Sequence, residues 1–249
     1  MVKLYSNFDI EKKHKGSIIL IGNFDGLHLG HQKLFKLAQS YKKKYNLKIG
    51  VINFNPMPKM FFNKNLRNFR LSNINQKIRL LNNLKVDFVI TKKFDYEFSR
   101  IKSINFIKEI LSKKINSKFI FVSNNFRFGN KREGNVDLLI KNEKTYNYKV
   151  VKPKPLISGK TIVSSSLIRN LLENGFLKKA NELLNRNWAI EGIVEKGRQV
   201  GKKIGFPTCN IDIQNYVLAK PGVYAVKVKK KDNTKYLKGI ANLGYRPTF

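Results

Sequence analysis

Short apolar runs alternate with longer helical patterns from the N-terminus to about residue 155. Five runs have the length and content of buried strands: Ser17–Gly22, Lys48–Phe54, Asp87–Thr91, Lys118–Val122 and Tyr148–Val151. The apolar spacing between them predicts helices over Leu29–Lys44, Ile74–Leu84 and Ser103–Leu111. Because strands that alternate with helices build a parallel sheet, this part is predicted to be an α/β domain with helices on both faces of the sheet.

The pattern changes in the last third of the chain. Two more helices are predicted, over Ser164–Asn174, with a serine N-cap and a glycine directly after it, and over Leu177–Leu184. From about Trp188 onward, short β-like runs are separated by glycine and proline, which is typical of a small antiparallel barrel or sandwich. We therefore predict two domains, residues 1–185 and residues 186–249.

The chain carries 50 Lys and Arg residues against 16 Asp and Glu residues, a net charge of +34. A nucleic-acid-binding protein would cluster such charge on one face or arm, whereas these lysines are scattered, so compositional drift without a specific nucleic-acid partner is favoured. The single Cys209 builds neither a disulfide framework nor a cysteine-based zinc site. Together with the lack of a secretory signal and of a membrane-length apolar stretch, this predicts a cytoplasmic protein with no membrane partner.

A loop rich in glycine and histidine follows the first predicted strand. It runs Gly22-Asn23-Phe24-Asp25-Gly26-Leu27-His28-Leu29-Gly30-His31, directly into the first helix. Open α/β sheets bind ligands at the carboxyl ends of their strands, and a helix N-terminus favours phosphate. His28 and His31 are three residues apart, so both rings can face one pocket and donate hydrogen bonds to phosphate oxygens. The simpler alternative is one histidine as helix cap and the other on the surface, but two of the chain's three histidines in such a loop favour the phosphate site.

Four motifs, in the same order along the chain, resemble the FAD synthetase branch of the HxGH nucleotidyltransferase superfamily. They are the histidine loop, Asn53–Pro58, Asn125–Gly129 and Val163–Arg169. The family segments they resemble are G-x-F-D-G-x-H-x-G-H, T-F-D-P-H-P, D-F-R-F-G and I-S-S-T-x-I-R. Asp, His, Asp and Thr of this pattern are replaced here by Asn55, Met57, Asn125 and Ser166. The resemblance implies a Rossmann-like nucleotidyltransferase domain.

The same resemblance implies a reaction and its residues. AMP would pass from ATP to FMN, giving FAD and pyrophosphate, through attack of the FMN phosphate on the α-phosphorus, with Mg²⁺ bridging phosphates. The catalytic residues implied are His28, His31 and Arg169, whose guanidinium can bind phosphate bidentately. The residues implied to bind ATP and its phosphates are Gly22, Asn23, Phe24, Gly30, Ser164, Ser165 and Ser166. Those implied to line the flavin or nucleotide pocket are Asn55, Asn125, Arg127 and Phe128, with plain core packing an equal alternative for the last.

A second glycine-rich segment, Gly197–Asn210, lies in the predicted C-terminal domain. Spaced glycines alone more often mark β-turns, but this segment closely resembles the riboflavin kinase motif G-x-x-x-G-x-x-x-G-F-P-T-x-N. The resemblance implies nucleotide and Mg²⁺ binding by four residues, the last two as metal ligands: Gly201, Gly205, Thr208 and Asn210. In the family, the catalytic glutamate follows the R-P-T-F segment that ends here at Phe249, so we expect a partial barrel without riboflavin kinase activity in these 249 residues.

Two other functions remain open at this point. One is a sister HxGH transferase that uses nicotinamide mononucleotide, phosphopantetheine or a cytidylyl donor. The segments Asn125–Gly129 and Gly197–Asn210 argue against it, because such enzymes explain neither. The other is an inactive flavin- or nucleotide-binding relic, suggested by Asn55, Met57 and Asn125, and measured turnover separates it from an active enzyme.

Overall fold

The computed structural model describes residues 1–196, 205, 208–213, 215–231 and 233–244. Contacts divide the chain into two compact units, the first made of Met1–Leu66 and Ser72–Ser164, the second of Arg67–Leu71 and Ser165–Phe249. The predicted domain boundary between residues 185 and 186 stays a prediction, because compactness alone does not fix where a functional module ends. In the part of the chain that is described, no helix combines the length and the apolar character needed to span a bilayer.

The first unit is built on a parallel sheet. Its strands, in chain order, are β1 Lys3–Tyr5, β2 Ile18–Ile21, β3 Ile49–Asn55, β4 Phe88–Lys93, β5 Phe119–Phe121, β6 Arg127–Phe128, β7 Gly134–Asn135, β8 Lys149–Val151, β9 Ile157–Ser158 and β10 Thr161–Ile162. Six of these strands form one sheet in the order β1-β4-β3-β2-β5-β8, and every neighbouring pair is parallel. The others pair as two short antiparallel hairpins, β6 with β7 and β9 with β10.

Helices connect these strands. They are α1 Leu29–Tyr45, α2 Pro58–Phe62, α3 Ile74–Asn83, α4 Tyr96–Ser99, α5 Ser103–Asn105, a π-helix Phe106–Lys114 that continues α5, α6 Val136–Lys141 and α7 Glu143–Tyr146. Short 3₁₀ turns cover Lys12–His14, Asp25–Leu27 and Asn130–Arg132. The helix predicted to end at Leu111 is present, but most of it has π-helical hydrogen bonding and it extends to Lys114.

The sheet has an apolar layer on each face. Strand side chains alternate between the faces, so Ile19 and Ile21 of β2 pack in one cluster with the π-helix and α6. Ile18 and Leu20 pack in the other cluster with Phe35 of α1 and with α3. The predicted α/β architecture, with a parallel sheet covered by helices on both faces, is therefore confirmed.

One ring in the sheet depends on a glycine in the neighbouring strand. Phe88 of β4 is fully buried beside Gly50 of β3. A Cβ added to Gly50 would lie 2.2 Å from the Phe88 ring, so only glycine leaves room for it. The ring also stacks on His14 with 4.6 Å between the centroids, and the Tyr5 hydroxyl lies 2.7 Å from His14 Nδ1. The third histidine of the chain is thus part of the core.

The second unit contains helices followed by antiparallel strands. They are α8 Ser165–Glu173, α9 Leu177–Leu184, β11 Val194–Glu195, β12 Asn210–Ile211, β13 Gly222–Val228 and β14 Leu237–Leu243. The pairs β11–β12 and β13–β14 are antiparallel, in agreement with the predicted small antiparallel β-structure. Gly175 follows α8 with φ +81°, as expected of a glycine that ends a helix.

Candidate active site

The histidine loop connects β2 to α1 at the carboxyl edge of the sheet. Phe24 and Leu27 have φ of 46° and 41°, and Gly26 between them has φ of 75°. Residues other than glycine rarely adopt this left-handed region, and they do so only where surrounding contacts hold them. The loop is therefore a constrained element, of the kind that concentrates at functional sites.

Two hydrogen bonds attach the loop to the segment before α3. The Asp25 Oδ1 atom accepts from the Ser72 backbone N–H at 3.3 Å, and the Ser72 hydroxyl accepts from the Gly26 backbone N–H at 3.3 Å. Asp25 and Ser72 are both buried. The sequence interpretation missed both as positioning residues. Asp25 stands inside the recognised motif, but nothing in the sequence connects the motif with Ser72, 47 residues away.

The two histidines of the loop lie against each other. Their ring centroids are 3.7 Å apart and their planes are 22° from parallel. His28 is the N-cap residue of α1, but its side chain makes no capping hydrogen bond and is only 4% exposed. Gly30 leaves room for the His28 ring. A Cβ added to Gly30 would lie 3.1 Å from the ring and 3.3 Å from the Val163 carbonyl oxygen. The His28 side chain is thus neither a helix cap nor a surface feature. Val163, whose carbonyl lies near Gly30, directly precedes Ser164 in the second predicted phosphate-binding segment.

Burial keeps His31 neutral. Burial is the main cause that lowers its pKa well below the ordinary value, and the nearby His28 and Lys77 lower it further. The Phe24 ring packs edge-on against the imidazole at 5.2 Å between centroids. Its Nδ1 atom is buried and has no hydrogen-bond partner among the described residues. A neutral imidazole has one N–H donor and one acceptor nitrogen, so His31 can donate a hydrogen bond to phosphate without carrying a charge beforehand.

Two histidines with lowered pKa, His14 and His31, predict how the stability of the chain depends on pH. The pKa of His14 is also lowered, mainly by burial, so below about pH 6.5 the unfolded chain binds protons that the folded chain does not. We expect the free energy of unfolding to fall as the pH is lowered from 7 to 5, by up to about 1.4 kcal/mol per pH unit for each histidine. Denaturant unfolding at successive pH values measures this slope.

The variant His31→Gln is the control for that experiment, and it should flatten the slope by the contribution of one histidine. Glu11 does not interfere, because Lys13 and Lys3 lower its pKa to about 2 and its contribution is lost only below about pH 4.5. Equal stability of the parent chain at pH 7 and pH 5 would contradict the assignment of both histidines as neutral in the folded state.

Arg169 lies in the second unit, on α8, and makes two contacts with Phe69. Its Nε–H donates to the Phe69 carbonyl oxygen at 2.6 Å, and its guanidinium lies 3.7 Å from the centroid of the Phe69 ring. Arginine stacked in this way has a set orientation, which favours bidentate binding of an oxyanion. Of the serines predicted to bind phosphate in this segment, Ser165 begins α8 and is partly buried, whereas Ser166 is exposed.

A polar cavity of about 330 Å³ follows β5. It is lined by Asn124, Asn125, Phe126, Arg127, Arg132, Asn135, Val136, Asp137 and Lys152. The structure thus brings together Asn125 and Arg127, which were predicted to line the flavin or nucleotide pocket, and adds two cations that the sequence interpretation missed, Arg132 and Lys152. Their positions in separate segments gave no signal in the sequence.

Two other residues predicted for that pocket lie elsewhere. Phe128 is 8% exposed and packs in the core between Phe106 and Phe126, at ring centroid distances of 5.5 and 5.4 Å, which supports the packing alternative. Asn55 is exposed at the end of β3, where its backbone carbonyl accepts from the Phe94 N–H at 3.2 Å. Met57, which stands where the family has His, is 2% exposed and therefore serves the core.

The kinase-like segment is described in part. Gly201 lies outside the described residues, as does the rest of 197–204. Gly205 has φ of +81°, Thr208 is exposed, and Asn210 of β12 lies opposite Glu195 of β11. Within the described residues no three His, Cys, Asp or Glu side chains are grouped as a metal site would need.

Comparison with known proteins covers nearly the whole chain. A family model described as FAD synthetase matches residues 10–167, and one described as riboflavin kinase matches residues 184–249. The chain is similar to proteins named bifunctional riboflavin kinase/FMN adenylyltransferase. It is 39% identical over 241 residues to that of Buchnera aphidicola subsp. Acyrthosiphon pisum, which covers 97% of this chain and 77% of the relative. It is 37% identical over 234 residues to that of Escherichia coli strain K12, with 94% and 74% covered.

A solved structure shares the fold. A crystal structure described as a macrolide-efflux protein from Streptococcus pneumoniae matches with a TM-score of 0.81 and 26% sequence identity. The match covers 100% of this chain and 80% of that chain. The fold of this chain therefore recurs in an experimental structure.

Proposed function

Because the chain belongs to the bifunctional riboflavin kinase/FMN adenylyltransferase family, we propose that its histidine loop carries out the transfer of AMP from ATP to FMN. The chain is an FAD synthetase whose residues 184–249 match the riboflavin kinase family. The observation that supports the proposed site is the stacked pair of the buried His28 and the partly buried His31, at the N-terminus of α1 and the carboxyl end of β2.

In the proposed reaction an oxygen of the FMN phosphate attacks the α-phosphorus of ATP. A new P–O bond forms, the bond between the α-phosphorus and the oxygen that bridges to the β-phosphorus breaks, and the electron pair leaves with pyrophosphate. Such a transfer requires alignment and neutralisation of developing charge, without a covalent protein intermediate. His28 and His31 are proposed to donate hydrogen bonds to the phosphate oxygens, and the first N–H groups of α1 add the favourable end of the helix dipole.

The neutral state of His31 suits this role. Burial and the positive charge of Lys77 disfavour protonation of the imidazole in the free protein. An incoming phosphate brings negative charge, which favours the protonated form and strengthens the hydrogen bond that the ring donates. We therefore expect the site to become more positive when phosphate binds. This effect should be largest in the transition state, where the negative charge on the phosphate oxygens is greatest.

Further residues are proposed for the phosphates and for the nucleotide or flavin. Gly22, Asn23, Phe24, Gly30 and the Ser164–Ser166 segment are proposed to surround the ATP phosphates, and Arg169 to bind phosphate oxygens with its fixed guanidinium. Asn125 and Arg127 are proposed to contact flavin or nucleotide from the 330 Å³ cavity after β5. The cations Arg127, Arg132 and Lys152 in its lining give it the charge to attract a phosphorylated ligand.

Magnesium is the cofactor we propose. It prefers oxygen ligands and is commonly held by substrate phosphates with few protein groups. In the kinase part, the exposed Thr208 and the partly buried Asn210 offer a hydroxyl and an amide oxygen of the required kind. When bound, Mg²⁺ would neutralise charge on the polyphosphate. The single cysteine, Cys209, is exposed and unbonded, which supports the cytoplasm as the place of action.

The experiment that tests the proposal is chromatographic. We expect the purified chain, mixed with FMN, ATP and Mg²⁺ at moderate salt, to produce FAD, and we expect excess EDTA to stop it. Nicotinamide mononucleotide and phosphopantetheine in place of FMN, and CTP in place of ATP, test the sister transferases. A folded chain that makes no FAD would refute the proposal.

The same chromatograms test the kinase expectation. Riboflavin supplied in place of FMN, with ATP and Mg²⁺, tests whether these 249 residues form FMN. FMN produced from riboflavin would show that expectation to be wrong and would leave the FAD synthetase proposal untouched, because the two activities are assayed with different flavins.

A further inference from the structure

An asparagine that no motif singles out for a role is buried at the carboxyl end of β3. Asn53 is 0% exposed, and both polar atoms of its carboxamide, Oδ1 and Nδ2, are buried without a hydrogen-bond partner among the residues that the structure describes. A buried polar atom without a partner costs free energy, and native proteins therefore leave few of them. An amide with both atoms unsatisfied calls for an explanation, and a bound ligand is one of the few available.

The position of Asn53 connects it with the histidine loop. The Gly22 N–H, at the start of that loop, donates to the Ile52 carbonyl oxygen at 3.1 Å, so the loop leaves β2 directly beside Asn53. Strand side chains alternate, so Asn53 is on the same face of the sheet as Ile49 and Val51, which pack in the cluster that includes Phe24. Asn53 therefore ends the apolar layer beneath the loop.

His31 belongs to the same layer. It is four residues before Phe35 on α1, and Phe35 is fully buried in that cluster, so helical periodicity sets both on the side of α1 that faces the sheet. Asn23 Oδ1 and His31 Nδ1 are also buried without partners among the described residues. Three side chains at this end of the layer thus have buried polar atoms without a hydrogen-bond partner among the described residues. All three lie where open α/β sheets bind their ligands.

We infer that Asn53 is a specificity-determining residue, which receives the edge of a heterocyclic ring that offers a hydrogen-bond donor beside an acceptor. This inference rests on the proposed function, which supplies two substrates with such an edge. A phosphate offers acceptors alone and would satisfy Nδ2 but leave Oδ1 unpaired, and a cation would do the reverse. The pyrimidine part of the flavin and the amino edge of adenine each satisfy both atoms, as asparagine does when it binds adenine bidentately.

Ligand access requires a shift of the loop. Phe24 is 4% exposed, packs in the same apolar cluster and has φ 46°. A ligand that satisfies Asn53 would supply the differential interaction that favours an arrangement of the loop open to that ligand. In the family segment T-F-D-P-H-P the position of Asn53 is threonine, whose single hydroxyl offers less to a ring edge than a carboxamide does.

The test compares Asn53→Leu with the parent chain in two measurements that need no turnover. Titration calorimetry with FMN, and separately with a non-hydrolysable ATP analogue, should show a dissociation constant about tenfold higher for one of the two ligands, because two hydrogen bonds are lost. The ligand affected identifies the ring as flavin or adenine. The melting temperature of the ligand-free variant should rise by about 2 °C or more, because an unsatisfied amide is removed.

The melting temperature separates this role from a structural one. If Asn53 served only the fold, Asn53→Leu would lower the melting temperature. The matched control is Asn82→Leu, because Asn82 Oδ1 accepts from the Val2 N–H at 2.9 Å; its loss should lower the melting temperature and leave both dissociation constants unchanged. Should Asn53→Leu fail to fold, Asn53→Ser provides the same selective loss of affinity.

The inference is overturned if both dissociation constants stay within twofold of the parent values, or if they rise equally, since an equal rise indicates a distorted loop. A parent chain that binds FMN and the ATP analogue but forms no FAD would refute the proposed transfer. The effect of Asn53→Leu on the two dissociation constants would still test the role of Asn53.

Discussion

Replacement of His28 by alanine is expected to lower the rate of FAD formation by about a hundredfold or more, the loss typical of a group that stabilises charge in a transition state. The His28 ring is stacked on His31 at 3.7 Å and only 4% exposed, so its N–H is held in place before the substrates arrive. The turnover number should fall much more than the KM for ATP rises, because the hydrogen bond strengthens as charge develops. Initial rates of FAD formation, followed by chromatography, measure both.

The chain provides its own control histidine. His14→Gln removes a buried imidazole that packs on Phe88 and bonds with Tyr5, away from the loop. It should lower stability and leave the turnover number of the folded fraction unchanged. A His28→Ala enzyme that retains more than a tenth of the parent rate would contradict the assignment of the pair. The double variant with His31→Ala should lose less than the product of the single losses, since the rings act as a unit.

Replacement of Phe88 by alanine is expected to lower the free energy of unfolding by about 3–5 kcal/mol. The ring is fully buried on β4, between Gly50 and His14, and its removal loses apolar burial and leaves a cavity. Denaturant unfolding monitored by circular dichroism measures the loss. An effect below about 1 kcal/mol would mean that the core around β3 and β4 collapses freely, contrary to its dense packing.

Two further variants define the cause. Phe62, 69% exposed on α2, is the matched control, and Phe62→Ala should cost about 1 kcal/mol or less. Gly50→Ala by itself should cost about 1–3 kcal/mol, because its Cβ would meet the Phe88 ring at 2.2 Å. In the double variant the methyl group added at position 50 enters the space that the Phe88 ring leaves. The double variant should therefore lose less free energy of unfolding than the two single variants lose together.

The main elements of the first unit were predictable because their patterns are local. Fully apolar runs such as Ile18–Ile21 identify buried strands, and the spacing of Leu34, Leu37 and Tyr41 identifies a helix with one apolar face. The edge strand Lys3–Tyr5 was missed, because three residues are too few to show an alternation of apolar and polar positions. The π-helical hydrogen bonding of Phe106–Lys114 was missed as well, because π- and α-helices bury nearly the same side chains.

The candidate site divides in the same way. The sequence determined the histidine pair, the strand-end loop that holds it and the phosphate-binding chemistry to expect, because a turn, two rings and a helix start lie within ten residues. It also determined the order of motifs that the family models match.

Only the tertiary structure decided which distant residues complete that loop. The anchor at Ser72, the Val163 carbonyl beside Gly30 and the unpartnered amide of Asn53 come from segments far apart in the chain. The same holds for the cations Arg132 and Lys152 in the cavity after β5. The physical reason is that burial and hydrogen-bond satisfaction are properties of neighbours in space, and the pattern along the chain records only which face of an element is apolar.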